Sequence, residues 1–273
     1  MNVRRREPVQ RFRLLLVGIV VIGTLAIALL IWDRAFRQAS PIAPGMNCPV
    51  TVEPTHHPPL TAIGIHRVLL IGDSIMVQAS CPLADSLAGE GVQTTRQAVS
   101  GSGLLTGWVD WPSSLNSMLR GDHPDAVVAI FVGNYLGPPL RNPDGSPIAN
   151  GSPEFYMLWQ QQAVRLSKEV QEAGATMYWV SPPPISAPIL DHAGRLFLGY
   201  TSIPGVRVLD AGPVLAARGG KEAPSIRTCG TQEVVRTLPD GIHLTDQGAR
   251  IYGEEIAHLL TSQTGLLASP KPC

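Results

Sequence analysis

Short apolar runs alternate with longer amphipathic stretches between Arg67 and Ser262, and this alternation constrains the fold more than any other feature. It gives five expected strands, Val68–Ile71, Val92–Val99, Ala126–Val132, Thr176–Val180 and Val206–Leu209, of which Ala126–Val132 is apolar throughout and Val92–Val99 is the most polar. Near-continuous apolar strands are buried on both faces, which points to a parallel sheet covered by helices on each side. The stretches between them read as helices at Ile75–Leu87, Trp108–Leu119 and Glu154–Ala173. The last of these places Leu158, Val164, Leu166 and Val170 on an apolar face. Thr245 caps a final helix whose buried stripe is Ile251, Tyr252, Ile256, Leu259 and Leu260. The expectation is an α/β domain over residues 67–262 with a mostly parallel five-stranded sheet, followed by a tail at 263–273.

The N-terminus follows a different rule. Leu14 to Trp32 contains no charged residue. As a helix it would span about 28 Å at roughly 1.5 Å per residue, which matches a bilayer core of about 30 Å. Arg4, Arg5, Arg6, Arg11 and Arg13 precede it, whereas only Arg34 and Arg37 follow, offset by Asp33. The positive-inside rule then predicts a cytoplasmic N-terminus (1–13), one transmembrane helix (14–32) and an extracytoplasmic remainder at the cell membrane. A cleaved signal peptide is the alternative, although residues 35–40 lack a clear small-x-small site. Residues 33–66 read as a tether, punctuated by Pro41, Pro44, Pro49, Pro54, Pro58 and Pro59. His56 and His57 in that tether have no acidic or thiol neighbour and read as exposed linker residues.

Lys and Arg number 21, as do Asp and Glu. A chain without net charge has no field to draw a polyanion, so nucleic-acid binding has no electrostatic support. Cys48, Cys81, Cys229 and Cys273 all follow the anchor. An even count outside the cytoplasm permits disulfides, and three full pairings are possible. No pair has Cys-x-x-Cys spacing, so nothing favours structural zinc. The sequence implies no metal and no cofactor.

In open parallel sheets, ligands bind beyond the carboxyl ends of the strands. The polar motifs fall there. Gly72-Asp73-Ser74 closes the first strand, Ser100-Gly101-Ser102-Gly103 follows the second, and Gly133-Asn134 closes the third. Asp240-Gly241-Ile242-His243 precedes the last helix. Each motif alone has a plain reading as a cap or turn; their convergence on one rim carries the argument. Ser74 is the candidate nucleophile, His243 the base, and Asp240 the acid that orients the imidazole. The Ser74 and Gly101 N–H groups and the Asn134 side-chain amide are the candidate oxyanion donors. Asp210, Asp246 and the Asp191-His192 pair are weaker competitors. Glu154, Trp108 and Trp111 are candidates for the cleft wall, with a core or surface role equally open.

At these residues the chain resembles the SGNH hydrolases, also called the GDSL esterase/lipase superfamily. Gly-Asp-Ser-Ile carries the nucleophile block with Ser74. Gly101, with Gly103 as alternative, matches the oxyanion glycine. Gly133-Asn134 matches the third block, and Asp240-Gly241-Ile242-His243 the Asp-x-x-His block. The resemblance implies a flavodoxin-like three-layer sandwich, a Ser-His-Asp mechanism and no metal. The stretch Arg96-Gln97-Ala98 departs from the family pattern, which often has an Asn shortly before its glycine. Residues 135–152, with Pro138, Pro139, Pro143 and Pro147, form a long loop, so relatives cannot dictate substrate choice. The expected function is cleavage of ester bonds, O-acetyl or acyl, on envelope glycans or lipids. O-acyl transfer to cell-surface carbohydrate and a non-catalytic envelope-binding module are the alternatives.

Overall fold

The computed structural model describes residues 48–55, 65–105, 109–133, 140–236 and 240–263. The predicted transmembrane helix at 14–32, and with it His56, His57, Trp108, Asn134 and Cys273, lies outside these residues. Among the described residues no helix is long and apolar enough to cross a membrane.

In chain order the elements begin with β1 (Thr51–Val52), β2 (Arg67–Gly72), α1 (Ser74–Gly89), β3 (Gln93–Arg96), α2 (Trp111–Asp122) and β4 (Ala126–Ile130). A hairpin of β5 (Leu140–Arg141) and β6 (Pro147–Ile148) leads to α3 (Pro153–Glu172), β7 (Thr176–Val180), α4 (Pro188–Leu196) and β8 (Val206–Leu209). A second hairpin, β9 (Ser225–Thr228) and β10 (Thr231–Val234), precedes α5 (Asp246–Gln263).

The main sheet runs β1-β3-β2-β4-β7-β8. Its last five strands are parallel, and their order, with the first strand between the second and third, is that of a flavodoxin-like sheet. The sixth strand corrects the expectation of five. Within the segment read as tether, Thr51–Val52 pair antiparallel with Thr94–Thr95 of β3 at the sheet edge. Three further bonds hold this edge. Cys48 forms a disulfide with Cys81 in α1, and the Arg96 guanidinium donates to the Cys48 and Pro49 carbonyls at 2.8 and 3.1 Å. Cys229 is also disulfide-bonded.

Val68 to Ile71 and all of β4 are buried, as strands covered on both faces must be. Helix α1 packs against α5, and α2 against α3. The apolar stripe of α3 is Phe155, Trp159, Ala163, Leu166 and Val170, whereas Val164 stays exposed. The aromatic rings supply the larger buried surface and therefore set the helix's rotation. Trp111 belongs to the core: its ring meets Phe131 edge-on, with centroids 4.9 Å apart. Glu154 is exposed in the first turn of α3, so Trp111 takes the core role and Glu154 the surface role that the sequence left open beside the cleft wall.

Candidate active site

Strand β2 lies where the chain order reverses, between β3 and β4, and its carboxyl end opens onto the crevice where such sheets hold ligands. Gly72 closes the strand at φ +150°. A Cβ there would stand 2.1 Å from the Ile130 carbonyl oxygen, so the turn can be made only by glycine. Asp73 caps α1, with Oδ1 accepting the Ile75 N–H at 3.0 Å. Ser74 is the first residue of α1, where a backbone N–H has no partner within the helix.

Ser74, His243 and Asp240 form one chain of hydrogen bonds. His243 Nε2 lies 3.0 Å from Ser74 Oγ, and Nδ1 lies 2.8 Å from Asp240 Oδ2. A carboxylate only accepts, so Nδ1 carries the proton and Nε2 is left to accept from the serine hydroxyl. Asp240 Oδ1 also accepts the Ile242 and His243 backbone N–H groups, at 2.8 and 3.1 Å. Burial pushes the Asp240 carboxyl up, but the His243 side chain, these two amides and the nearby imidazole outweigh it. The group is held below the ordinary carboxylate range.

Three buried residues brace this arrangement, and sequence reasoning gave none of them a role in the site. Asp73 does more than cap: its Oδ2 accepts the Val132 and Gly133 amides at 2.6 and 2.7 Å, fixing the loop after β4. Burial raises its pKa, against the opposing pull of those donors and of His243. Gln78 sits one turn after Ser74. Its side chain donates to the Leu244 carbonyl at 2.8 Å and accepts the Leu244 N–H at 3.0 Å. The signal was a lone amide in the otherwise apolar run of α1. Arg236 is buried, and its guanidinium donates to the Ile242 carbonyl at 2.6 Å and to the Pro184 carbonyl at 2.7 Å. Nothing local in the sequence marks it.

Gly101 stands at φ +77° in the loop after β3. That loop is tied to the Gly72–Ser74 turn by the Val99 N–H, which donates to the Gly72 carbonyl at 2.8 Å. Ser102 and Gly103 are buried beside it. The competing acids are engaged elsewhere. Asp210 accepts from Ser181 Oγ at 2.6 Å. Asp191 pairs with Arg195 at 2.6 Å, and His192 stacks on Tyr156. Asp246 is exposed in the first turn of α5. Among the described residues no three of His, Cys, Asp and Glu gather as metal ligands.

The sequence model of the family described as "Protein of unknown function (DUF459)" matches residues 67–259. The chain is a member of the DUF459 family. Solved structures similar to this DUF459 protein share the SGNH/GDSL hydrolase fold. One is LAE5, an alpha/beta hydrolase enzyme from the metagenome of Lake Arreo, Spain, at 17% identity and TM-score 0.50, covering 77% of this chain and 99% of that one. Another is a protein assigned to the lipolytic G-D-S-L family from Desulfitobacterium hafniense, at 13% identity and TM-score 0.50, covering 71% and 98%. A third, assigned as an acylhydrolase, comes from Bacteroides fragilis, at 13% identity and TM-score 0.50, covering 72% and 88%. At these identities the likeness is one of fold. No curated protein matches the DUF459 chain.

Proposed function

We propose that this DUF459 protein is a membrane-anchored serine esterase working outside the membrane, on ester bonds of envelope glycans or lipids. The observation that carries the reading is the unbroken chain Ser74–His243–Asp240 at the carboxyl end of the parallel sheet. The SGNH/GDSL fold supports it. The apolar segment at 14–32 with its upstream arginines supports the anchor, and the Cys48–Cys81 disulfide supports an oxidising compartment.

In this mechanism Ser74 Oγ attacks the ester carbonyl carbon while His243 Nε2 takes the hydroxyl proton. The carbonyl oxygen becomes an oxyanion, which the Ser74 and Gly101 N–H groups and the Asn134 amide stabilise. The carbon–alkoxy bond then breaks, and the imidazolium gives its proton to the departing alcohol. Water, activated by the same imidazole, attacks the acyl-enzyme, releasing the acid and restoring the serine. Asp240 stays ionised throughout and balances the imidazolium.

The test is turnover of 4-nitrophenyl acetate by the full-length protein in detergent micelles. Ser74→Ala should remove all but about one part in 10⁴ to 10⁶ of kcat, and a serine-directed phosphonate should label Ser74 alone. Equal turnover by both proteins, or a label elsewhere, would sink the reading.

A further inference from the structure

A groove of about 1130 Å³ opens between the loop after β7, the helix α4 and the strap at Gly220–Glu222. Neither Ser74 nor His243 lines it, yet two contacts fix it beside the histidine. Arg236 donates with one arm to Ile242, next to His243, and with the other to Pro184 in the groove wall. One planar guanidinium fork holds those two carbonyls within roughly 7 Å of each other. Glu222, whose other carboxylate oxygen accepts the Ser186 N–H of the same wall, has Oε1 2.9 Å from where a Cβ on Gly241 would lie. The groove therefore adjoins the turn that carries Asp240 and His243.

That position selects one half of an ester. The imidazole that takes the serine proton later delivers it to the leaving alcohol, so the alcohol lies on the histidine side. We infer that the groove receives the alcohol half of the substrate, and that this alcohol is an uncharged carbohydrate chain. The inference rests on the esterase reading and narrows it.

The chemistry of the walls supports the narrowing. Two cations, Arg195 and Lys221, face two anions, Asp191 and Glu222, so the groove has no net field to favour a phosphate or an acidic chain. The Asp191–Arg195 pair offers donors and acceptors together on one side. The stacked Tyr156 and His192 rings, with centroids 4.0 Å apart and planes 33° apart, offer aromatic contact to sugar C–H groups. A lipid tail calls for an apolar slot, and covering four charged side chains with alkyl groups would strip their water without replacing it.

The test uses the full-length protein in detergent micelles with short O-acetylated xylo- and chito-oligosaccharides. The reference is 4-nitrophenyl acetate, whose alcohol is a single ring. Lys221 and His192 are exposed, so their replacement leaves folding intact. Lys221→Ala and His192→Ala should each lower kcat/KM for the best oligosaccharide, relative to the reference ester, by about tenfold, and chiefly through KM. In the Ser74→Ala background, calorimetry with the deacetylated oligosaccharides reads binding without chemistry, and adding Lys221→Ala should raise Kd by about tenfold. An unchanged ratio with an unchanged Kd overturns the groove inference and leaves the esterase reading standing. A preference for phosphorylated, acidic or long-chain lipid esters overturns it as well. Lys221-dependent binding without Ser74-dependent turnover would keep a carbohydrate site and sink the esterase.

Discussion

The Asp73 carboxylate that caps the helix begun by Ser74 lies 2.7 Å from the Gly133 amide nitrogen, so one buried side chain joins α1 to the loop that follows β4. Both its oxygens accept from backbone donors. In Asp73→Asn the NH₂ group must face at least one N–H it cannot accept from. The expected cost is about 2–4 kcal/mol in urea denaturation, with a parallel fall in ester turnover. A loss below about 1 kcal/mol would mean that the loop stands without it.

Asp240 orients His243, so Asp240→Asn should reduce kcat by about 10³ to 10⁴ while KM moves little. The pH dependence has a definite sign. The folded carboxyl sits below its ordinary value of 3.8, so its contribution to stability is complete above that value and is lost as pH falls through the folded one. In acid titrations of unfolding, the stability difference between wild type and Asp240→Asn should hold steady from neutral pH down to that range. It should shrink only in stronger acid; an earlier decline would contradict the assignment.

Gly72→Ala forces a methyl group against the Ile130 carbonyl. Strands β2 and β4 are hydrogen-bonded neighbours and cannot separate locally without breaking their ladder. A loss of about 3 kcal/mol or more is expected in chemical denaturation. Near-neutral stability would show that β4 yields at this point.

Arg236 bridges two carbonyls from inside the protein. Arg236→Lys keeps the charge but can serve only one of them, and should lower kcat by about tenfold with a modest loss of stability. Arg236→Met leaves both carbonyls unpaired and should cost about 2–4 kcal/mol. Millimolar guanidinium chloride should restore part of the activity of Arg236→Ala, whereas equal sodium chloride should not. Equal rescue by both salts would reduce Arg236 to a general packing role.

The Cys48–Cys81 bridge closes a loop with a sequence separation of 33. Replacing both cysteines with serine should cost about 3–4 kcal/mol by the chain-entropy argument. Turnover at Ser74 should change little, because the bridge ties down the β1 side of the sheet. A kcat loss beyond about tenfold would show that the edge and the site are coupled.

The parallel core was legible because strands covered on both faces have to be continuously apolar, as Thr176–Val180 shows; the edge strand Val206–Leu209 also matches its expected limits, with Arg207 exposed. The two-residue β1 carries too little pattern to be read, and it pairs only because the disulfide and Arg96 hold it against β3. The α3 stripe was misjudged at Val164, since periodicity alone weighs every apolar residue alike while packing favours Phe155 and Trp159. In the site, Ser74, Asp240 and His243 could be named because their side chains carry a chemistry recognisable at short range. Gln78 and Arg236 could not: they meet partners 166 and 52 residues away, as Ser74 meets His243 at 169, but no motif marks either side chain.

Cys81 lies two helical turns, about 10 Å, beyond Ser74 on the same helix. Tension arriving along the chain ahead of Cys48 therefore passes through a covalent bond into the middle of α1 and into the outermost strand. In the proposed anchored protein the cross-link acts as a strain relief, taking a tug on the N-terminal side at the sheet edge and in the middle of α1.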